Sequence, residues 1–190
     1  MTGRKLTERP SVTAIVLAGG RSTRFGSDKI VARLDDRTLL RHVVDALPPE
    51  WDVVVVGPER PGFADLTWVS EDPPDGGPLA GILAGAQASS TDLVVVIAGD
   101  MPWAAPVAED LVAALRAAPD GTAAAIARDD EGQDNPLFAA YRRAHLVAAM
   151  PRPAHGRRAK TLLDLPSVTV PVRGRPGRDV DRPDDLHAPG

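Results

Sequence analysis

At 190 residues and 43% hydrophobic content the chain fits one domain, residues 1–190, with a full core; three Trp, three Phe and one Tyr leave that core to be built from Val, Leu, Ile and Ala. A net charge of −4 argues against a general nucleic-acid binder, and the absence of cysteine excludes disulfides, a thiolate nucleophile and Cys-ligated metal. No apolar run approaches the ~18 residues of a membrane helix, and residues 1–10 are polar without the apolar centre of a signal peptide, so the expectation is a cytoplasmic protein that needs no membrane, with residues 1–11 as a disordered tail.

Residues 12–18 are a short continuous apolar run, the pattern of a strand covered on both faces. The run feeds Gly19-Gly20-Arg21-Ser22-Thr23-Arg24-Phe25-Gly26-Ser27-Asp28-Lys29. Glycines let a backbone approach a phosphate closely and turn its N–H groups toward the anion. Arg24 and Lys29 add the charge that a triphosphate needs. The spacing is neither that of a P-loop, because Lys29 comes two residues late and Ile30 follows it, nor Gly-x-Gly-x-x-Gly. The plain alternative is a tight turn at Gly19-Gly20 beside solvated arginines.

Helical spacing over 38–46 ends at Pro48-Pro49, and 52–56 reads as a second buried strand ended by Gly57-Pro58. A short strand over 67–69 precedes the turn Pro73-Pro74-Asp75-Gly76-Gly77-Pro78 and a small-residue helix over 79–88. Residues 93–98 are the clearest central strand, and 107–117 form an amphipathic helix ended by Pro119-Asp120-Gly121. Strands are expected at 123–127, 136–141 and 167–172, helices at 142–150 and 157–163, a mobile loop at 151–158, and a loop from Gly174 onward. This alternation implies βαβ units, an α/β fold and a mainly parallel central sheet flanked by helices, with ligands beyond the carboxyl ends of the strands.

Three further motifs carry chemistry. Asp100, in Ala98-Gly99-Asp100-Met101-Pro102, sits at a strand end where it reads as a metal carboxylate, such as magnesium takes beside phosphate oxygens, or as the N-cap of the next helix. Asp179-Val180-Asp181-Arg182-Pro183 reads as a helix start or as the source of a second metal ligand, Asp179 or Asp181. Gly76-Gly77-Pro78-Leu79-Ala80-Gly81 leaves backbone groups free to read a base, with Asp72 upstream able to accept from a base or ribose hydroxyl. Basic residues are also uneven: only Arg116 and Arg128 lie between Pro61 and Tyr141, whereas ten Arg or Lys lie between Arg142 and Arg182, which points to an anionic ligand or to a solvated basic surface.

Leu17-Ala18-Gly19-Gly20, Arg24-x-Gly26-x-x-Lys29, Gly77-Pro78-Leu79-Ala80-Gly81, Gly99-Asp100-Met101-Pro102, Asn135-Pro136-Leu137-Phe138-Ala139 and Asp181-x-Pro183-x-Asp185-Leu186, in this order, resemble the molybdenum cofactor guanylyltransferases, from Val12 to Leu186. The resemblance implies a Rossmann-like nucleotidyltransferase fold and transfer of GMP from GTP to molybdopterin carrying molybdenum, with release of pyrophosphate. It implies backbone contacts to the nucleotide from Leu17, Ala18, Gly19 and Gly20, base contacts from Gly77, Pro78 and Leu79, a GTP contact from Asp72, and phosphate held by Lys29. Asp100 would ligate Mg2+, and Arg24 and Lys29 would offset charge on the leaving pyrophosphate. Arg157, Arg158, Lys160 and Asp179 would meet the pterin, and other molybdenum cofactor enzymes would be transient partners. Relatives that use CTP tend to carry alanine at the place of Gly19; the missing methyl favours the larger purine, a contribution of about 1–3 kcal/mol. The chain departs from the family at Gly57-Pro58, where an asparagine is usual, at Asp179-Val180-Asp181, where Asn-x-Asn is common, and at Phe25, where Met is usual. A sugar phosphate acceptor on the same fold, or a catalytically silent nucleotide-binding protein, is the alternative to the pterin reaction.

Overall fold

The computed structural model describes residues 12–19, 28–180 and 185. In chain order the elements are β1 (Val12–Leu17), a small hairpin of β2 (Arg33–Leu34) and β3 (Arg37–Thr38), α1 (Leu39–Asp45), β4 (Asp52–Val56), β5 (Thr67–Val69), α2 (Pro78–Ala88), β6 (Leu93–Ala98), α3 (Ala105–Ala117), β7 (Ala124–Arg128), β8 (Asp134–Arg142), α4 (Arg143–Ala149) and β9 (Ser167–Pro171). Short 3-10 helices occupy Lys29–Val31, Ala159–Asp164 and Arg175–Gly177.

Seven strands form one sheet in the order β5-β4-β1-β6-β8-β7-β9. β1 pairs in parallel with β4 and β6, β4 with β5, and β7 with β9, while β8 runs antiparallel to both its neighbours. All strands but β8 therefore point the same way. From β1 the chain steps outward to β4 and β5, then returns through α2 to β6 on the other side of β1. The loops after β1 and β6 thus leave the sheet in a diverging pair, and such a switch point is where an open α/β sheet opens a crevice.

Alternation along each buried strand divides the core. Val12, Ala14 and Val16 of β1 and Val95 and Ile97 of β6 face α1 and α3, where Leu40, Val43, Leu111 and Leu115 are buried. Ile15, Val94 and Val96 face α2 and α4, where Leu79, Ile82 and Leu146 are buried. Each such side chain contributes about 1.5–3 kcal/mol by leaving water. α2 lies so close to the sheet that a Cβ on Gly85 would stand 2.5 Å from Ile15 Cγ2, so its small residues serve close helix–sheet packing.

The strand and helix readings hold to within about two residues at most ends. The β2–β3 hairpin carries no periodicity to read because each strand has two residues; it turns at Asp35, whose φ of 54 an aspartate tolerates. The segment expected to be helical from 157 starts at 159 as a 3-10 helix, with Leu162 its buried residue. β8 begins at Asp134 rather than Pro136, because the β7–β8 register shifts between Ile126 and Ala127. Pro136, which has no N–H to donate, falls in that bulge, where no ladder bond is asked of it.

Candidate active site

Four segments converge at the carboxyl end of the sheet: the ends of β1, β4 and β6 and the start of α2. Between them lies a cavity of about 420 Å³ lined by Leu17, Gly19, Val56, Glu71, Asp75, Gly77, Pro78, Gly81, Ala98, Asp100 and Leu137. Ladder bonds run past the strand ends and fix where the loops depart: Ala18 N–H donates to Val56 O at 2.8 Å and Gly99 N–H to Leu17 O at 2.9 Å. Gly57 lets the β4 loop press on this turn. Its φ is +140, and a Cβ there would lie 2.9 Å from Gly19 N and 3.0 Å from Ala18 C. Glycine at 57 is therefore a packing requirement of this turn. At Gly19 itself a Cβ would meet nothing nearer than 3.9 Å, so the fold leaves that side of the turn open.

The charges of the site come from the glycine-rich loop's far end and from β6. Lys29 Nζ lies 2.6 Å from Asp100 Oδ2, and both side chains are largely buried, 11% and 19% exposed. Asp100 Oδ1 is buried and has no hydrogen-bond partner among the described residues. A buried carboxylate oxygen without a donor is expensive unless something positive meets it. A divalent cation fits that oxygen, being a hard ion suited to a hard oxygen. No group of three or more His, Cys, Asp or Glu converges among the described residues.

Asp100 also organises the C-terminal segment. Its carbonyl accepts from Val180 N–H at 3.0 Å, and Val180 is fully buried with Leu34 and Leu39. The Arg175 guanidinium sits 4.5 Å from the Trp103 ring centroid, just after the Asp100 turn. The backbone at Val180 is thus held against the Asp100 loop. Asp179 is exposed, while Asp181, Gly20 and Arg24 lie outside the described residues.

α2 begins with its amide end at the cavity. Gly77, at φ 85, caps the helix without a side-chain hydrogen bond, and Pro78 takes the first turn. Free N–H groups at a helix start favour electronegative ligand atoms. Leu79 is fully buried behind them. Besides Asp100, the cavity is lined by the carboxylates Glu71 and Asp75, which no sequence motif marks as site residues. Asp72 lines a neighbouring cavity with Arg152 and His155. Asp75, at φ 61, stands in the turn expected over residues 73–78, and an aspartate tolerates that conformation. Leu137 was missed as a site residue although its motif was noted; the β8 bulge carries it to the cavity wall. Asn135 Oδ1 accepts from Leu137 N–H at 3.0 Å, and the buried Tyr141 hydroxyl donates to Pro136 O at 2.7 Å, so side chains meet these two backbone groups of the bulge.

The basic segment is brought beside this cavity but not into its lining. Gly156 N–H donates to Gly76 O at 2.9 Å, which moors the loop carrying Arg157 and Arg158 to the turn before α2. Arg157, Arg158 and Lys160 are exposed.

Comparisons with known proteins agree with this arrangement. A family model described as the MobA-like NTP transferase domain matches residues 14–169. A molybdenum cofactor guanylyltransferase of Burkholderia orbicola is 41% identical over 128 residues, 62% of this chain; the match spans 61% of that relative's own length. A probable molybdenum cofactor guanylyltransferase of Chloroflexus aggregans is 38% identical over 144 residues, covering 72% of this chain and 68% of its own. Among solved structures, molybdopterin-guanine dinucleotide biosynthesis protein A from Archaeoglobus fulgidus shares the fold with a TM-score of 0.72 at 24% identity, over 92% of this chain and 95% of that one. A Mycobacterium tuberculosis protein solved in complex with manganese shares it with a TM-score of 0.63 at 20% identity, over 93% and 96%. With its glycine-rich turn, its Asp100 strand end and a family match over most of its length, the chain belongs to the MobA-like NTP transferase domain family.

Proposed function

We propose that this protein transfers GMP from GTP to molybdenum-bearing molybdopterin in the cytoplasm, forming the guanine dinucleotide of the cofactor and releasing pyrophosphate. The observation that carries the reading is the buried, donor-less Asp100 Oδ1 beside Lys29 at the switch point of the sheet. The naming of the relatives at 38–41% identity supports the nucleotide and the acceptor.

Leu17, Ala18, Gly19 and Gly20 bind the nucleotide through backbone groups, and Gly77, Pro78 and Leu79 form the wall for the base. The open space at Gly19 suits a purine. Lys29 leaves Asp100 to hold phosphate, and Arg24 adds a second positive charge on the leaving side. Asp100, with Asp179 or Asp181, would hold Mg2+, which supplies positive charge against the triphosphate. The manganese complex of the related fold supports a divalent ion. The acceptor's phosphate oxygen attacks the α-phosphorus, and the bond to the β-phosphate breaks in line. No side chain becomes covalently attached; the residues position the reactants and balance charge. Arg157, Arg158 and Lys160 attract the anionic pterin; the mooring of their loop to Gly76, beside the cavity, supports that reading. Asp72, on the adjoining cavity, helps bind GTP, and Glu71 and Asp75, on the main cavity, are further partners for the ribose hydroxyls.

The test is release of pyrophosphate from GTP in the presence of Mg2+ with either molybdopterin or a series of sugar phosphates as acceptor. The expected result is turnover with the pterin only. Turnover only with a sugar phosphate overturns the acceptor, and GTP bound without turnover on any acceptor identifies a catalytically silent nucleotide-binding protein. Calorimetry should show GTP bound at least ~10-fold more tightly than CTP, with Gly19→Ala narrowing the gap.

A further inference from the structure

We infer that Arg60 is a positioning residue for Lys29 and acts on it through Asp28. The inference rests on the reading of Lys29 as the cation that holds the triphosphate.

Arg60 Nε donates to Asp28 Oδ2 at 2.7 Å and its Nη2 to Oδ1 at 3.4 Å, while Nη1 donates to the Pro58 carbonyl. The guanidinium also lies 5.9 Å from the Trp68 ring centroid. Its side chain is 12% exposed, far more enclosed than a rim arginine that merely points into solvent. The scaffold beneath it is rigid. Trp68 belongs to β5, its Nε1 donates to Phe63 O at 3.1 Å, and it meets the Phe63 ring edge-on. The β4 loop that carries Pro58 is fixed by Gly57 N–H donating to Val69 O at 2.8 Å. Arg60 therefore joins the edge of the sheet to the residue directly before Lys29.

Lys29 needs such a support. It opens a 3-10 helix of three residues that has no side-chain cap, and helices so short do not hold themselves. The contacts that locate it include the bond from Ala32 N–H to its carbonyl at 2.9 Å, Ile30 in the core, Nζ on Asp100, and the Asp28–Arg60 pair. When phosphate takes the ammonium from Asp100, the contact at the end of the side chain is lost. The planar fork of Arg60 on the Asp28 carboxylate then holds the lysine's backbone at the distance phosphate requires. Small displacements of a charge-bearing group matter: a shift of ~1 Å costs up to ~100-fold in a positioned reaction.

The experiment measures GTP affinity by calorimetry with Mg2+ on the full chain, with melting temperature recorded for each variant. Arg60→Ala and Asp28→Ala should each weaken GTP by about tenfold, and the double variant should be no weaker than either single one. Introduced into Lys29→Met, Arg60→Ala should have no further effect, since the residue it positions is gone. Arg60→Met, which keeps the stem over Trp68, replaces Arg60→Ala if the alanine variant melts early. Additive losses in the double variant, or a tenfold loss that persists in the Lys29→Met background, would overturn the inference and leave the role of Lys29 standing. Unchanged GTP affinity in Lys29→Met alone would overturn that role, and the inference with it.

Discussion

The two halves of the sheet are built for different work. β5, β4, β1 and β6 run parallel, and at their carboxyl ends stand the glycine-rich turn, Gly57, the start of α2 and Asp100. Across β6 the strand β8 reverses direction, and β7 and β9 complete an edge that contributes one side chain, Leu137, to the cavity. Parallel strands send their loops to one end and so collect chemistry there. The half containing the reversed strand forms a wall, and it reaches the site only where its ladder slips. Substitutions on the parallel side are therefore expected to change binding and turnover, and those on the other side to change stability.

The largest effect should come from Asp100→Asn. It keeps an acceptor for Lys29 but removes the charge that would meet a cation, so turnover should fall by about 1,000-fold or more while the melting temperature stays within a few degrees. Near-normal turnover would break the assignment of chemistry to this half. Gly57→Ala comes next. A methyl placed 2.9 Å from Gly19 N at a φ of +140 must push the two loops apart, so GTP affinity should drop and urea unfolding should show a loss of about 1–3 kcal/mol. Unchanged affinity with lowered stability would show the β4 loop to be scaffold only.

On the other side, Tyr141 offers an optical test, because it is the chain's only tyrosine. Burial pushes its hydroxyl well above the ordinary value of about 10. A raised folded value means that the contribution is fully present below pH ~10 and is lost as pH rises toward the folded value. The phenolate absorbance should therefore appear together with loss of the circular dichroism of the fold; phenolate formed near pH 10 in an intact fold would contradict this burial. Tyr141→Phe should lower stability by about 1 kcal/mol, the bond to Pro136 O. The smallest effect belongs to Asp134. Arg128 donates to it and holds its carboxyl below the ordinary range, so its contribution is present above that range and fades as pH falls through the lowered value. The pair is exposed, and Asp134→Asn should barely move the urea midpoint at neutral pH while flattening the acid limb.

What the sequence disclosed and what it withheld divide along physical lines. β1, β4 and β6 are continuous apolar runs ended by glycine, so they and the turn at Gly19 could be read locally, as could Asp100 at its strand end. The direction of β8 could not, since a strand's residues carry no sign of which way it runs beside its neighbours. The bulge at Pro136 arises from register with β7, a partner chosen in three dimensions. The preference of the cavity for Glu71 and Asp75 over Asp72 depends on a turn of a few residues. Gly57 reads as a strand terminator, and only the approach of Gly19 reveals why no side chain fits there. The bond from Val180 to Asp100 links positions 80 apart in the chain and leaves no local trace.

The contact between Lys29 and Asp100 has a consequence for the order in which ligands arrive. Each group is the other's rival in the proposed reaction: the ammonium holds one oxygen of the carboxylate that would meet a cation at the other, and the carboxylate holds the ammonium that would meet phosphate. In the proposed reaction, a nucleotide alone must strip a buried carboxylate of its partner, and an ion alone must share that carboxylate with an ammonium. A nucleotide and its ion arriving together exchange both partners at once and leave no charge stranded. The pair thus acts as an internal competitor that discriminates against half-loaded states, and Lys29→Met should bind Mn2+ more tightly than the parent chain when no nucleotide is present.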